Sequence, residues 1–256
     1  MNDKMKTHTA IDSEEKNLFS LSPDKTTYLA IITEILMIFA YFSVTNILTS
    51  PQFGYLGFIV FGILTNLLLN VIFPICWIVL YKKEPLSELG ITKKHLLVAI
   101  IISFGFSIVM APIVFNRLNQ VDSGIAFLIY NGIILWEPFF VYCWLQLRYE
   151  KAFGIIPGIL FTGLSFMAYH IGTFPPISLL VLLFWGIVFA VIFHFVRNLF
   201  VLWPLTWSFS STLGTLMVGY EFTWDMVMQW SIILVIQIGL IIFAYFYRKK
   251  TDRSNE

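Results

Sequence analysis

Long apolar runs separated by short polar clusters organise this chain. Runs long enough to cross a hydrocarbon core of about 30 Å cover residues 27–49, 54–81, 95–117, 124–148, 153–172, 176–197, 199–219 and 226–247. The pattern predicts an all-α fold, a polytopic membrane protein built as a bundle of about eight transmembrane helices. The second run is longer than a crossing needs and carries Pro74, so tilt or a kink is expected there in place of a ninth span. Neither an internal repeat nor a second soluble domain stands out. The expected organisation is a polar N-terminal tail over residues 1–26, a single membrane domain over 27–247 and a C-terminal tail over 248–256.

Composition agrees, with 58% apolar and 12% charged residues, a balance that points to lipid as the solvent. The net charge of +1 says little about partners, and nucleic acid is not expected among them; where the charges sit says more. If the N-terminus is cytoplasmic, the inner segments hold Lys4, Lys6, Lys16, Lys25, Lys82, Lys83, Lys93, Lys94, Arg148, Lys151, Arg197, Arg248, Lys249, Lys250 and Arg253, leaving Arg117 outside. That bias predicts both termini inside, with Asp122, Glu221 and Asp225 as outer charges and Pro51, Pro175 and Pro176 in outer turns. The expected location is the plasma membrane of a bacterium. Residues 1–26 lack the apolar centre and small-residue cleavage site of a signal peptide and read as a retained tail. Cys76 and Cys143 both lie in apolar runs and read as buried thiols, able to pair only if their helices touch.

One stretch departs from this background. Trp136-Glu-Pro-Phe-Phe-Val-Tyr-Cys-Trp-Leu-Gln-Leu-Arg148 sets a carboxylate, Glu137, inside an apolar run. An acid at the centre of a membrane helix costs roughly 2.5–3.5 kcal/mol on insertion scales, so it marks a functional site by default. The following run contains Phe166-Met-Ala-Tyr-His170, which supplies a second ionisable group within one helical hairpin. Counting from the turn at residues 149–152 at ~1.5 Å per residue puts Glu137 and His170 roughly 17 and 26 Å above it. Helical side chains lean toward their own N-terminus, so the two heads are expected to converge near mid-membrane. The plainer alternative is that each is satisfied separately by a backbone carbonyl or a neighbouring Asn.

A Glu in an apolar helix, an Arg148-Tyr-Glu-Lys-Ala-Phe-Gly154 extension and then Phe166-x-x-x-His170 resemble the CPBP family of intramembrane proteases, also called Abi. That family takes in CAAX prenyl proteases and bacteriocin-processing or bacteriocin-immunity proteins. Its motifs are Glu-Glu-x-x-x-Arg, Phe-x-x-x-His and His-x-x-x-Asn or Asp, and the likeness covers about residues 86–214. Phe166 and His170 match the second motif as written. In the first, Glu137 takes the place of the Glu that activates water, but Pro138 replaces the second Glu and Tyr142 the Arg. Pro138 also frees a backbone carbonyl near Ile134, and a bend there would open a pocket beside Glu137. For the third motif, His194-Phe-Val-Arg-Asn198 is the literal match, yet it lies at the shallow cytoplasmic end of its helix. Trp203-Pro204 precedes the place where the motif belongs, and there Ser208, Ser211 and Thr212 stand in for its histidine, at mid-membrane depth by count.

Glu137 and His170 are therefore the expected catalytic pair, with Ser208, Ser211, Thr212 and Tyr142 as site wall and His194 and Asn198 as literal but shallower candidates. Glu34, Asn66, Asn70, Asn131 and Gln146 are expected to make interhelical hydrogen bonds, and Gly158 and Gly163 to allow close helix packing. No His-Glu-x-x-His is present and a catalytic zinc takes three protein ligands, so metal-free chemistry is expected and no cofactor is implied. The resemblance implies hydrolysis of a peptide bond in a membrane-associated peptide or protein by a glutamate-activated water. An alternative is a CPBP-like protein that has lost hydrolysis and acts by binding, as a bacteriocin-immunity or cell-envelope scaffold protein. A proton-coupled carrier ranks third, because no inverted repeat is present.

Overall fold

The computed structural model describes residues 17–46, 54–217, 219 and 222–254. The first sixteen residues, with Lys4, Lys6 and Lys16, lie outside the described residues, as do Pro51, Glu221 and the side chain of Arg253. The chain is an all-α polytopic membrane protein. Its helices run α1 (Lys25–Asn46), α2 (Tyr55–Tyr81), α3 (Leu96–Leu118), α4 (Gly124–Phe153), α5 (Ile155–Ala168), α6 (Pro176–Val196), α7 (Leu205–Met217) and α8 (Trp224–Thr251). Six of these are long and apolar enough to cross a membrane.

The other two, α5 and α7, correct the expected runs at 153–172 and 199–219. They are 14 and 13 residues long, about 21 and 20 Å at ~1.5 Å per residue. Glycines at positive φ, Gly154 (+89°) and Gly172 (+89°), bracket α5 and the turn that follows it. The His170 carbonyl closes that turn by accepting from the amides of Thr173 and Phe174, both at 3.1 Å. Before α7, a short 3-10 turn at Leu199–Val201 and Pro204, which has no N–H to donate, keep the helix from starting earlier. Pro74 marks a change of winding in α2, which is π-helical over Ile59–Ile72 and Cys76–Tyr81 and α-helical at its start, up to Phe58, and again at Phe73–Ile75.

Helix α4 is the axis of the bundle, with every residue from Ile134 to Glu150 buried. Such a helix shows no polar face because it has no exposed side. Buried polar contacts tie its neighbours to it. Trp144 Nε1 donates to Thr33 Oγ1 of α1 at 3.0 Å, Gln146 Nε2 to the Ala190 carbonyl of α6 at 2.7 Å and Asn131 Nδ2 to Thr212 Oγ1 of α7 at 3.2 Å. The Tyr149 hydroxyl donates to Glu34 of α1. Small residues bring α5 close to its neighbours, as expected where lipid supplies no hydrophobic drive. A Cβ on Gly158 would stand 2.7 Å from Glu150 N and Cα, and one on Gly163 2.5 Å from Ile187 Cγ1. Cys76 and Cys143 are both free thiols.

The described basic residues other than Arg117 gather at one end of the bundle. There Lys25 lies over the Trp77 and Tyr81 rings, 5.2 and 5.4 Å from their centroids. Arg148 donates to the Glu88 carbonyl at 2.6 Å. At the same end residues 17–22 run as a strap along the α4–α5 turn, with Ser20 N donating to Phe153 O at 2.9 Å and Ile156 N to Leu18 O at 3.2 Å. Gly154 lies directly under the strap, where a Cβ would stand 2.7 Å from Phe19 Cα.

Candidate functional site

The site begins with a break in α4. Helical winding stops after Ile133, and Ile134 adopts an extended ψ of 92°. The helix restarts at Trp136, becomes π-helical over Phe139–Gln146 and returns to α-helix at Leu147. Pro138 accounts for the interruption, because its nitrogen cannot donate to the Ile134 carbonyl. Irregular backbone at membrane depth is tolerated where it lines a cavity, and Ile134 lines one here. Glu137 thus falls in the first turn of the restarted helix, where exposed amides and the helix dipole favour a negative charge.

Two donors hold the Glu137 carboxylate. The Tyr169 hydroxyl donates to Oε1, and Trp207 Nε1 donates to Oε2 at 3.1 Å. His170 lies just beyond the end of α5, in the turn, with its Nδ1–H donating to the Phe166 carbonyl at 2.7 Å. This is the local use of the Phe-x-x-x-His spacing, one helical turn joining the two residues. It leaves Nε2, the acceptor nitrogen when the ring is neutral, facing Glu137 Oε1 at 3.9 Å. A gap of that length suits one bridging molecule better than a direct bond. Both side chains are buried.

Glu137 and His170 open onto one cavity of about 570 Å³, within the ~300–1,000 Å³ typical of small-ligand sites. Its lining is mostly aromatic and aliphatic, and one face of α7 supplies a polar strip through Ser210, Ser211 and Thr215. Asn131 and Gln229 add amides. Among the described residues, no Lys or Arg lines the cavity. Nor do any three His, Cys, Asp or Glu side chains come together as a ligand set.

The remaining sequence candidates separate. Of the expected wall residues, Ser211 lines the cavity. Ser208 and Thr212 instead turn to α4, donating to the carbonyls of Leu128 at 2.7 Å and Phe127 at 3.2 Å. Tyr142 is packed behind the site, its ring 6.0 Å from that of Trp207 and its buried hydroxyl without a hydrogen-bond partner. His194 and Asn198 are in neither place. Asn198 Nδ2 donates to the Thr92 and Lys94 carbonyls, both at 2.9 Å, which ties the α2–α3 loop to the end of α6. His194 Nδ1 donates to Glu150 Oε2 at 2.9 Å, beside Arg197, which bonds the same oxygen. Gln146 Nε2 completes this second cluster by donating to Glu150 Oε1 at 2.6 Å. Glu150 lies thirteen positions beyond Glu137, about 20 Å along α4, at the basic end of the bundle.

Three site or cluster residues escaped the sequence reading. Tyr169 adjoins His170, and its hydroxyl was signalled only by that adjacency. Trp207 carried no signal beyond its place just before Ser208, at the same depth. Glu150 stood only as part of the Arg148–Gly154 extension; the clue was His194 and Arg197, three positions apart at the end of α6. The chain matches no protein-family model, no curated protein and no solved structure.

Proposed function

We propose that the chain is an intramembrane hydrolase of the CPBP type, cleaving a peptide bond in a membrane-associated peptide or protein with a water activated by Glu137. The observation that carries the reading is the pairing of a buried carboxylate and a buried imidazole 3.9 Å apart on the wall of one cavity. A water bridging them gives one hydrogen to Glu137 Oε1 and the other to His170 Nε2, which fixes its lone pair toward the cavity. Glu137 takes the proton as oxygen attacks the carbonyl carbon, then passes it to the departing amine. The Tyr169 hydroxyl and the Trp207 indole N–H hold the carboxylate in place through these steps. The basic end of the bundle faces the cytoplasm of a bacterial cell in this reading, with both termini inside, which agrees with the distribution of Lys and Arg.

One observation favours a second reading, a binding role without hydrolysis. Both Glu137 oxygens are already engaged by Tyr169 and Trp207, and the literal third motif is bonded elsewhere. The deciding experiment incubates the purified protein with a set of single-span peptides, with and without chelator, and reads cleavage by mass spectrometry. Cleavage that disappears in both Glu137→Gln and His170→Ala supports the hydrolase. No cleavage by the native chain, together with an unchanged biological phenotype in the double variant at normal protein level, leaves the binding role.

A further inference from the structure

We infer that the cavity is a binding site for amphiphilic organic cations, molecules with one delocalised or quaternary positive charge on an apolar body. This goes beyond peptide hydrolysis and does not depend on it.

Three features of the cavity converge on that ligand chemistry. The first is charge: Glu137 is the only acidic side chain among the described residues lining the cavity, and no Lys or Arg is there to neutralise it. Tyr169 and Trp207 each donate one hydrogen bond to it. A carboxylate has about four lone-pair sites, so acceptor capacity remains on the cavity side. His170 Nε2 stands 3.9 Å from Oε1, too far for a direct hydrogen bond, so it does not occupy the cavity-side lone pairs. The second feature is the wall. Tyr41, Phe61, Trp136, Tyr130, Trp185 and Trp230 all line the cavity. Phe61 ties Tyr41, Trp136 and Trp230 into one aromatic surface, at ring-centroid separations of 5.1, 5.7 and 5.9 Å. Aromatic faces carry negative potential and attract desolvated cations, most strongly those too weakly hydrated to resist leaving water. The third is size and polarity. A volume of about 570 Å³ with a mainly apolar lining accepts a body of many carbons and offers little to an inorganic ion, which needs several oxygen ligands.

Neutral lipid or another apolar molecule would fit the walls but gain nothing from Glu137, and an anion would be repelled by it. The carboxylate therefore decides among occupants of similar shape.

The test titrates tetraphenylphosphonium, and separately its neutral counterpart triphenylphosphine oxide, into the full-length protein in detergent. Quenching of the cavity tryptophans reports occupancy. The expected result is saturable phosphonium binding that weakens at least about tenfold in Glu137→Gln, the change that a contact worth about 1.4 kcal/mol produces. Affinity for the neutral probe stays within about twofold, which also shows that the variant cavity is intact. No saturable phosphonium binding, an unchanged phosphonium affinity in Glu137→Gln, or equal weakening for both probes would each overturn the inference. Binding is read without turnover. Failure to cleave any peptide leaves the cation site standing, and failure to bind the phosphonium leaves the hydrolase reading standing.

Discussion

Replacing Gly158 by alanine should destabilise the bundle and move the site, although it adds a single methyl group far from Glu137. The new Cβ would stand 2.7 Å from Glu150 N, Cα and Cγ, where carbon contacts settle at ~3.5–4.0 Å. Two of those three atoms are backbone in the most buried helix of the protein, so α5 must move about 0.7 Å or more before the contact becomes ordinary. Overpacking of this kind costs about 1–3 kcal/mol, and the high end applies because backbone cannot rotate away. Alanine returns up to ~1 kcal/mol of helix propensity, leaving a net loss of about 2 kcal/mol. At ~2–4 °C per kcal/mol for a chain of this size, the midpoint of thermal unfolding in detergent should fall by about 4–8 °C. Gly105→Ala and Gly239→Ala serve as controls, since a Cβ at either position meets nothing within 4 Å. They should leave the midpoint unchanged or raise it slightly. Because α5 also carries Phe166 and leads into His170, hydrolysis or ligand binding should weaken by more than the loss of folded protein explains. A Gly158→Ala protein as stable as the native chain would show that α4 and α5 are not packed as described.

Other outcomes follow from the second cluster, the start of α1 and the ends of the bundle. Glu150→Ala removes the acceptor of three donors, His194, Arg197 and Gln146, and should cost about 3 kcal/mol in chemical unfolding. His194→Ala leaves Glu150 two partners and should cost about 1 kcal/mol; the reverse order would refute the account of the cluster. Burial raises the Asp24 carboxyl, but hydrogen bonds from the Thr27 amide and hydroxyl, with the charges of Lys151 and Lys82, outweigh it and hold the group below its ordinary value. Asp24 therefore contributes stability above the usual carboxylate pKa of about 3.9, and that contribution is lost as pH falls through the lower folded value. Asp24→Asn should flatten the acid limb of the stability profile, and an unaltered limb would contradict it. In intact cells an impermeant maleimide should label Asp122→Cys and spare Lys93→Cys; the opposite pattern would invert the proposed orientation.

The fold was legible wherever lipid dictates composition. All eight helices fall on the apolar runs, because a spanning segment must be apolar along its whole length and satisfy its own backbone. Length was less legible where glycine and proline intervene. Gly154 and Gly172 have the positive φ that ends helical winding, yet hydropathy continues unbroken through both, so α5 read six residues too long. Pro138 could be read more fully. Its missing N–H placed a free carbonyl at Ile134, and the backbone departs from the helix at that residue.

Register explains why the site itself was only half visible. On α7 the cavity is lined by Trp207, Ser210, Ser211, Gly214 and Thr215, positions i, i+3, i+4, i+7 and i+8 of one helical face, with Leu213 and Met217 beside them toward the end of the helix. Ser208 and Thr212 stand one position further round, which turns both to the α4 carbonyls. A depth count along α7 selects residues 207–212 correctly but carries no phase. The helix offers no clean apolar stripe from which to infer one, since serine and threonine occur on both the cavity face and the α4 face. The phase is set at Trp203-Pro204 and the 3-10 turn before it, where the chain leaves α6 and begins a new helix. Trp207, not a serine, consequently meets Glu137. An indole N–H there supplies one firm donor and no acceptor, so it can orient the carboxylate but cannot relay a proton as a histidine would. Any proton that Glu137 exchanges must therefore pass through Tyr169, His170 or the cavity, and Trp207→Phe should disturb the position of the carboxylate while leaving that exchange route intact.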